Sequence, residues 1–143
     1  MVSFTKGEGF GRPLLEFTTT GKPVIASGWS GHIDFLKTDY NVLLPGKLEN
    51  VHKSAANNWL IEEAQWFQVD YKTAMSSLKQ VYKHYKDYHT RSKKQKQYIK
   101  ENFSWEKMKQ LVHSKLNSIP DIPVQVPLNM SKDFPGLPKL NKI

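Results

Sequence analysis

Between Val2 and Ser27 the chain passes from strand to helix to strand in under thirty residues. Val2-Ser3-Phe4-Thr5 is a short β-prone run. Pro13 suits a first helical turn, where its missing N–H has no intrahelical partner anyway, and Gly21 ends the helix after Thr20. Lys22-Pro23-Val24-Ile25-Ala26-Ser27 is then an apolar, β-branched run with proline at its start, where a lost ladder bond is tolerated. Two strands joined through a helix lie parallel, with a right-handed crossover. The alternation continues through a second glycine loop, Gly28-Trp29-Ser30-Gly31, a short helix from His32 to Leu36, and a strand over Asn41 to Leu44 closed by Pro45-Gly46. The expected fold class is therefore α/β with a parallel sheet, and both glycine loops fall beyond the carboxyl ends of strands, where such sheets bind ligands.

Downstream the signals change. Residues 47–58 show no periodicity, and Trp59 to Phe67 reads as an aromatic, acidic loop with room for one short strand. Tyr71, Ala74, Met75, Leu78, Val81, Tyr82 and Tyr85 then recur at three- and four-residue spacing, predicting a helix over about 70–88 that starts at Asp70. A second helix is expected over 91–102. Ser104 caps a third, in which Trp105, Met108, Leu111, Val112 and Leu116 form the buried face. Residues 117–143 hold five of the chain's eight prolines, which argues for an extended tail. The expected organisation is one domain over 1–118 and a Pro-rich extension over 119–143.

Charge and composition narrow the setting. The 143 residues carry a net charge of +8, and residues 72–118 alone hold twelve basic against three acidic side chains. Apolar runs such as Val42-Leu43-Leu44 fall far short of the ~20 residues of a membrane span, and no signal-peptide core is visible, so a cytoplasmic setting is expected. Cysteine is absent, which leaves no disulfide framework and no thiolate ligand. His84 and His89 lie off the i, i+4 spacing of a helical metal pair, so no zinc site is expected.

The chemistry concentrates in Glu8-Gly9-Phe10-Gly11-Arg12-Pro13-Leu14-Leu15-Glu16. Gly9 and Gly11 let backbone approach a ligand, and the loop opens a helix whose first N–H groups favour phosphate or hydroxyl oxygens. Glu16 leans back toward the mouth that holds Glu8, because helical side chains tilt toward the N-terminus. Two carboxylates there can each grip a vicinal diol.

These residues, together with Gly21 to Ser27, Gly28 to Asp34 and Tyr98 to Lys107, resemble the C-terminal, donor-binding domain of retaining glycosyltransferases of the GT-B architecture, the group 1 type. The likeness spans about residues 1–116. It implies an incomplete Rossmann-like domain that transfers a sugar from a nucleoside diphosphate donor to an acceptor hydroxyl with retained configuration, without a metal or other cofactor. The family's first motif glutamate lies by the donor sugar at the catalytic centre and corresponds to Glu8. The second binds the ribose and corresponds to Glu16. The amides around Gly9, Phe10 and Gly11 would meet the sugar and distal phosphate. Arg12 departs from the apolar residue usual there, and is either a phosphate contact or a solvent-facing side chain. Leu14 packs or walls the nucleotide pocket. The family's acceptor domain and first donor-domain strands precede this motif, so the resemblance implies a C-terminal fragment or split piece with an N-terminal partner. The tail around Leu137-Pro138-Lys139-Leu140 is similar to tails on phage-encoded copies.

Two rival readings belong to other classes. Lys72 to Lys109, interleaved with Tyr82, Tyr85, Tyr88 and Tyr98, would suit nucleic acid or an anionic membrane. Nucleic acid is disfavoured because the tyrosines fall on the apolar stripe, where burial is expected, and arginine is scarce. Peripheral membrane contact stays open. The other rival is a non-catalytic remnant. His32 either caps its short helix or bonds the donor, and Asp34 either orders the second glycine loop or faces solvent.

Overall fold

The computed structural model describes residues 1–119. Contacts divide the chain into a unit over Met1–Met108 and a second over Lys109–Ile143. The Pro-rich tail inferred above lies, but for Ile119, outside the described residues. The first unit is α/β. Strands β1 (Val2–Ser3), β2 (Ile25–Ser27) and β3 (Val42–Leu44) form a parallel sheet in the order β1-β2-β3, with Val2 opposite Ile25 and Ile25 opposite Val42. Helix α1 (Arg12–Thr18) makes the first crossover and a 3₁₀ turn at Gly31–Asp34 part of the second.

Residues alternate across β2, so both faces of the sheet are apolar and both need cover. Val24 and Ala26 pack against Leu14 of α1, Phe35 and Leu36 after the 3₁₀ turn, and Ile99. Ile25, with Leu44 of β3, packs on the other face against Phe67, Val69 and Ala74. Helix α2 (Tyr71–Lys83) supplies Ala74, and α3 (Tyr85–Asn102) supplies Ile99. Asp70 caps α2 as expected, accepting from the Lys72 N–H at 2.9 Å and the Thr73 hydroxyl at 2.8 Å. The Thr73 bond, then the backbone bond, holds its carboxyl below the usual aspartate range.

Three expectations need correction. The stretch read as without periodicity holds a strand, β4 (Gly46–Asn50), which pairs antiparallel with β5 (Gln65–Val69), the short strand allowed for near Phe67, and Leu48 faces Phe67. Its outer strand β4 is mostly exposed, so no alternating core face marks it in the sequence. The long helical stripe breaks at His84, whose φ of −113° and ψ of 37° leave the helical region, so α3 begins at Tyr85 instead of near Arg91. Helix α4 (Trp105–Asn117) starts after Ser104, whose hydroxyl accepts from the Lys107 N–H at 3.2 Å, yet none of its residues is buried and its apolar stripe is exposed.

A polar clasp ties α3 to the second crossover. Buried Gln95 donates to the Phe35 carbonyl at 2.7 Å and accepts from the Lys37 N–H at 3.1 Å and the Asn41 amide at 2.8 Å. Removing it strands buried main-chain groups far from water, which costs more than the bonds themselves contribute. Gln95→Leu is expected to lower stability by about 2–4 kcal/mol in urea unfolding, with the slope unchanged.

Candidate functional site

The two glycine loops follow the carboxyl ends of β1 and β2 and meet, as the parallel topology requires. Their junction is the main chain of Glu8. Its N–H donates to the Ser30 hydroxyl at 2.9 Å, and its carbonyl accepts from that hydroxyl at 2.6 Å and from the Gly31 N–H at 2.9 Å. Ser30 holds this grip at φ 84°, and it is the one non-glycine residue with positive φ among those described. Such a conformation costs on the order of 1–3 kcal/mol and persists where surrounding contacts over-determine it.

Close approach explains Gly31. A methyl group there would overlap the Gly9 carbonyl oxygen. Gly11 is required differently, since it leads into α1 at φ 84° and a methyl would stand 2.9 Å from the His32 Cβ. By contrast, a methyl on Gly9 would touch nothing within 4 Å, so this side of the loop is open. Among the described residues the N–H groups of Gly9, Phe10 and Gly11 donate to no protein acceptor. The loop thus has a clamped start followed by two unpaired N–H groups on exposed residues, Gly9 and Phe10, and a third on buried Gly11.

The expected site residues divide into three groups. Glu8 is half-buried, Gly9 and Phe10 are exposed, and Gly11 is buried. Phe10 nevertheless anchors the loop, its ring 5.3 Å from Phe35 and 6.5 Å from Phe103. Arg12 and Glu16 stand exposed on α1 and pair with each other, Arg12 Nε to Glu16 Oε1 at 2.7 Å. Of the two roles open to Arg12, the structure shows the solvent-facing side chain, which pairs with Glu16 there. Leu14 is 2% exposed and packs in the core beside Val24 and Phe35, which is the packing alternative.

His32 is fully buried. Its Nε2 lies 2.6 Å from the Ser27 carbonyl, which makes that nitrogen the N–H donor and leaves Nδ1 an acceptor with no partner among the described residues. It therefore sits inside the 3₁₀ turn, linking the end of β2 to the Gly11 junction. Asp34 is exposed at the end of that turn.

Sequence reasoning missed three contributors. Ser30 carries the clamp, and its signal was a hydroxyl residue beside glycine in a loop after a strand. Lys6, at the loop's entry, lies 3.5 Å above the Trp66 ring and donates to Gln68 at 3.1 Å, while its carbonyl accepts from the Phe67 N–H at 2.9 Å. Trp29 stacks on Phe67, 5.8 Å between centroids at 7°. The unforeseen β4–β5 hairpin is thus the brace of both glycine loops.

Comparison with protein-family models, curated proteins and solved structures finds no match for this chain. The geometry must carry the functional reading by itself. A larger concavity, about 700 Å³ between Pro45, Gly46 and Asp70 to Lys72, lies on the hairpin side and includes neither Glu8 nor Glu16. The Glu8 loop is an open shelf instead of a closed cleft.

Gly31→Ala should displace the Glu8 to Gly11 loop and cost about 1–3 kcal/mol, because two backbones cannot move apart without breaking the Ser30 bonds. Amide chemical shifts at Glu8 and Gly9, with thermal unfolding, check both effects.

Proposed function

We propose that the Glu8 to Gly11 shelf seats the donor of a Rossmann-like, nucleotide-sugar-binding domain, and that this chain is the C-terminal portion of a retaining GT-B glycosyltransferase. The observation that carries the reading is the run of N–H groups at Gly9, Phe10 and Gly11 that meet no protein acceptor, the first two on exposed residues, held next to a doubly anchored glutamate in the loop that follows a parallel strand. Fixed donors that need no reorganisation are what a leaving diphosphate and a sugar hydroxyl require. Transfer breaks the bond between the sugar's anomeric carbon and the diphosphate oxygen and forms one from that carbon to the acceptor oxygen on the same face. Negative charge builds on the leaving diphosphate, where the amides act.

Glu8 would hold the donor sugar's hydroxyls and Glu16 the ribose diol. One Glu16 oxygen already accepts from Arg12, so the other is free to accept from ribose while Arg12 sets the carboxylate's direction. An N-terminal partner portion supplies the acceptor domain in this reading, and with it the basic residues that complete the diphosphate site.

A second reading, a basic binding module for nucleic acid or anionic membrane, draws on one correction. Tyr82 is 88% exposed and Tyr85 is also exposed, instead of buried as the stripe implied, and lysines follow both. A polynucleotide association that weakens steeply with salt would favour it.

Titration calorimetry of the whole chain against uridine- and guanosine-diphosphate hexoses tests the first reading. Glu16→Gln should weaken donor binding by about 1–3 kcal/mol, through loss of charge-assisted bonds, and Arg12→Ala by less. Unchanged affinity in Glu16→Gln removes the ribose role, and no binding of any donor removes the shelf as a donor seat.

A further inference from the structure

Trp29 is the large aromatic side chain of the second glycine loop. It follows β2, which has a strand on each side, so it does not stand at an open edge of the sheet. One face of its ring is taken by Phe67, 5.8 Å between centroids and 7° from parallel. Its rim meets the first loop at Gly7, where a methyl group would stand 3.8 Å from Trp29 Cζ3. The residue nevertheless keeps 37% of its surface exposed. With one face covered, that surface belongs to the other face and the rim.

The indole also has a definite place relative to the shelf. Phe67 belongs to the core on one face of the sheet, whereas Leu14 of α1 belongs to the core on the other. Trp29 and the helix that carries Glu16 therefore flank the Glu8 loop from opposite faces. Gly7, which meets Trp29, is followed at once by Glu8, and the Glu8 side chain turns over the shelf, its Cγ 3.2 Å from where a Gly11 methyl would stand. In the donor-seat reading Glu16 marks the ribose end and Glu8 the sugar end. Trp29 stands at the sugar end.

We propose that Trp29 is the platform of a pyranose subsite, on which the C–H face of the donor's hexose lies while Glu8 accepts from its hydroxyls. The inference rests on the shelf seating a nucleotide sugar, and it adds the residue that recognises the sugar. A pyranose directs its hydroxyls outward around the rim and leaves C–H groups on its faces. Those groups combine apolar area with partial positive charge, and the negative face of an aromatic ring receives both. An aromatic wall beside a few fixed polar groups is the usual make-up of a small-ligand site. Stacking on Phe67 already holds the indole, so little side-chain freedom is lost on binding. A carboxylate alone grips any diol, ribose included, whereas ring and carboxylate together select a hydroxylated ring with an apolar face.

Titration calorimetry of the whole chain compares uridine and guanosine diphosphates with the same diphosphates carrying a hexose, while NMR follows the Trp29 indole N–H. The hexose should tighten binding and shift that signal, and the bare diphosphates should leave it in place. Trp29→Leu should remove the hexose's gain, about three- to tenfold in affinity, with bare diphosphate affinity unchanged, and Trp29→Phe should keep most of the gain. The proposal is overturned if Trp29→Leu keeps the gain, or if it weakens both ligands by the same factor, the result for a brace that only holds the loop. Methyl glucopyranoside and methyl mannopyranoside in large excess separate this inference from the reading beneath it. If no nucleotide ligand binds but either glycoside shifts the Trp29 signal, the platform stands and the donor seat falls. If bare diphosphates bind and no sugar-bearing ligand shifts the signal, the platform falls and the seat stands; if nothing binds, both fall.

Discussion

The Glu8 carbonyl is the point on which the arrangement of the two glycine loops depends. Two bonds converge on it, from the Ser30 hydroxyl and the Gly31 N–H, and the Glu8 N–H returns one to Ser30. This small knot joins the loop after β1 to the loop after β2. It forces Ser30 into a left-handed φ and forbids a side chain at Gly31. Beyond it on the first loop Gly9 is exposed, while Phe10 packs on Phe35 and Phe103 and Gly11 is buried where α1 begins.

The knot is held from both sides of the sheet. On one side Phe10 packs on Phe35 and Phe103, and Gln95 fastens the segment after Phe35 to α3. On the other, Trp29 lies on Phe67 and Lys6 is gripped by the hairpin. Elements far apart in sequence thereby stiffen eleven N-terminal residues that contain one short strand of their own.

Much of this order was legible along the chain. Pro13, Gly21 and Pro23 punctuate the first crossover in the right places, and the β-branched runs become β2 and β3, because these signals are local and act through backbone sterics. Asp70 and Ser104 cap the helices expected of them for the same reason. The hairpin was not legible. Its strands meet across a fifteen-residue separation at Asn50 and Gln65, β4 is mostly exposed, and its value comes from bracing loops far back in the chain, through Lys6 and Trp29. The stripe on α2 misled in another way. Its period is helical, but only Ala74 is buried and Val81 partly so, while Tyr71, Met75, Leu78 and Tyr82 lie outside the core. Periodicity reports that a helix has an apolar side, and not what covers that side.

The sequence by itself determined the alternation of strand and helix, the parallel pairing that follows from it, and the gathering of glycine and glutamate after the first strand. These are consequences of steric and hydrogen-bonding limits within a few residues of each position. Tertiary structure decided the rest. Glu8 became an anchor through Ser30, which lies twenty-two residues on, Leu14 became core, Arg12 became the partner of Glu16, and Tyr82 was left in the open. Each of those outcomes depends on which surface arrives opposite, and that is set by how the layers close over the sheet, not by the residues' own preferences.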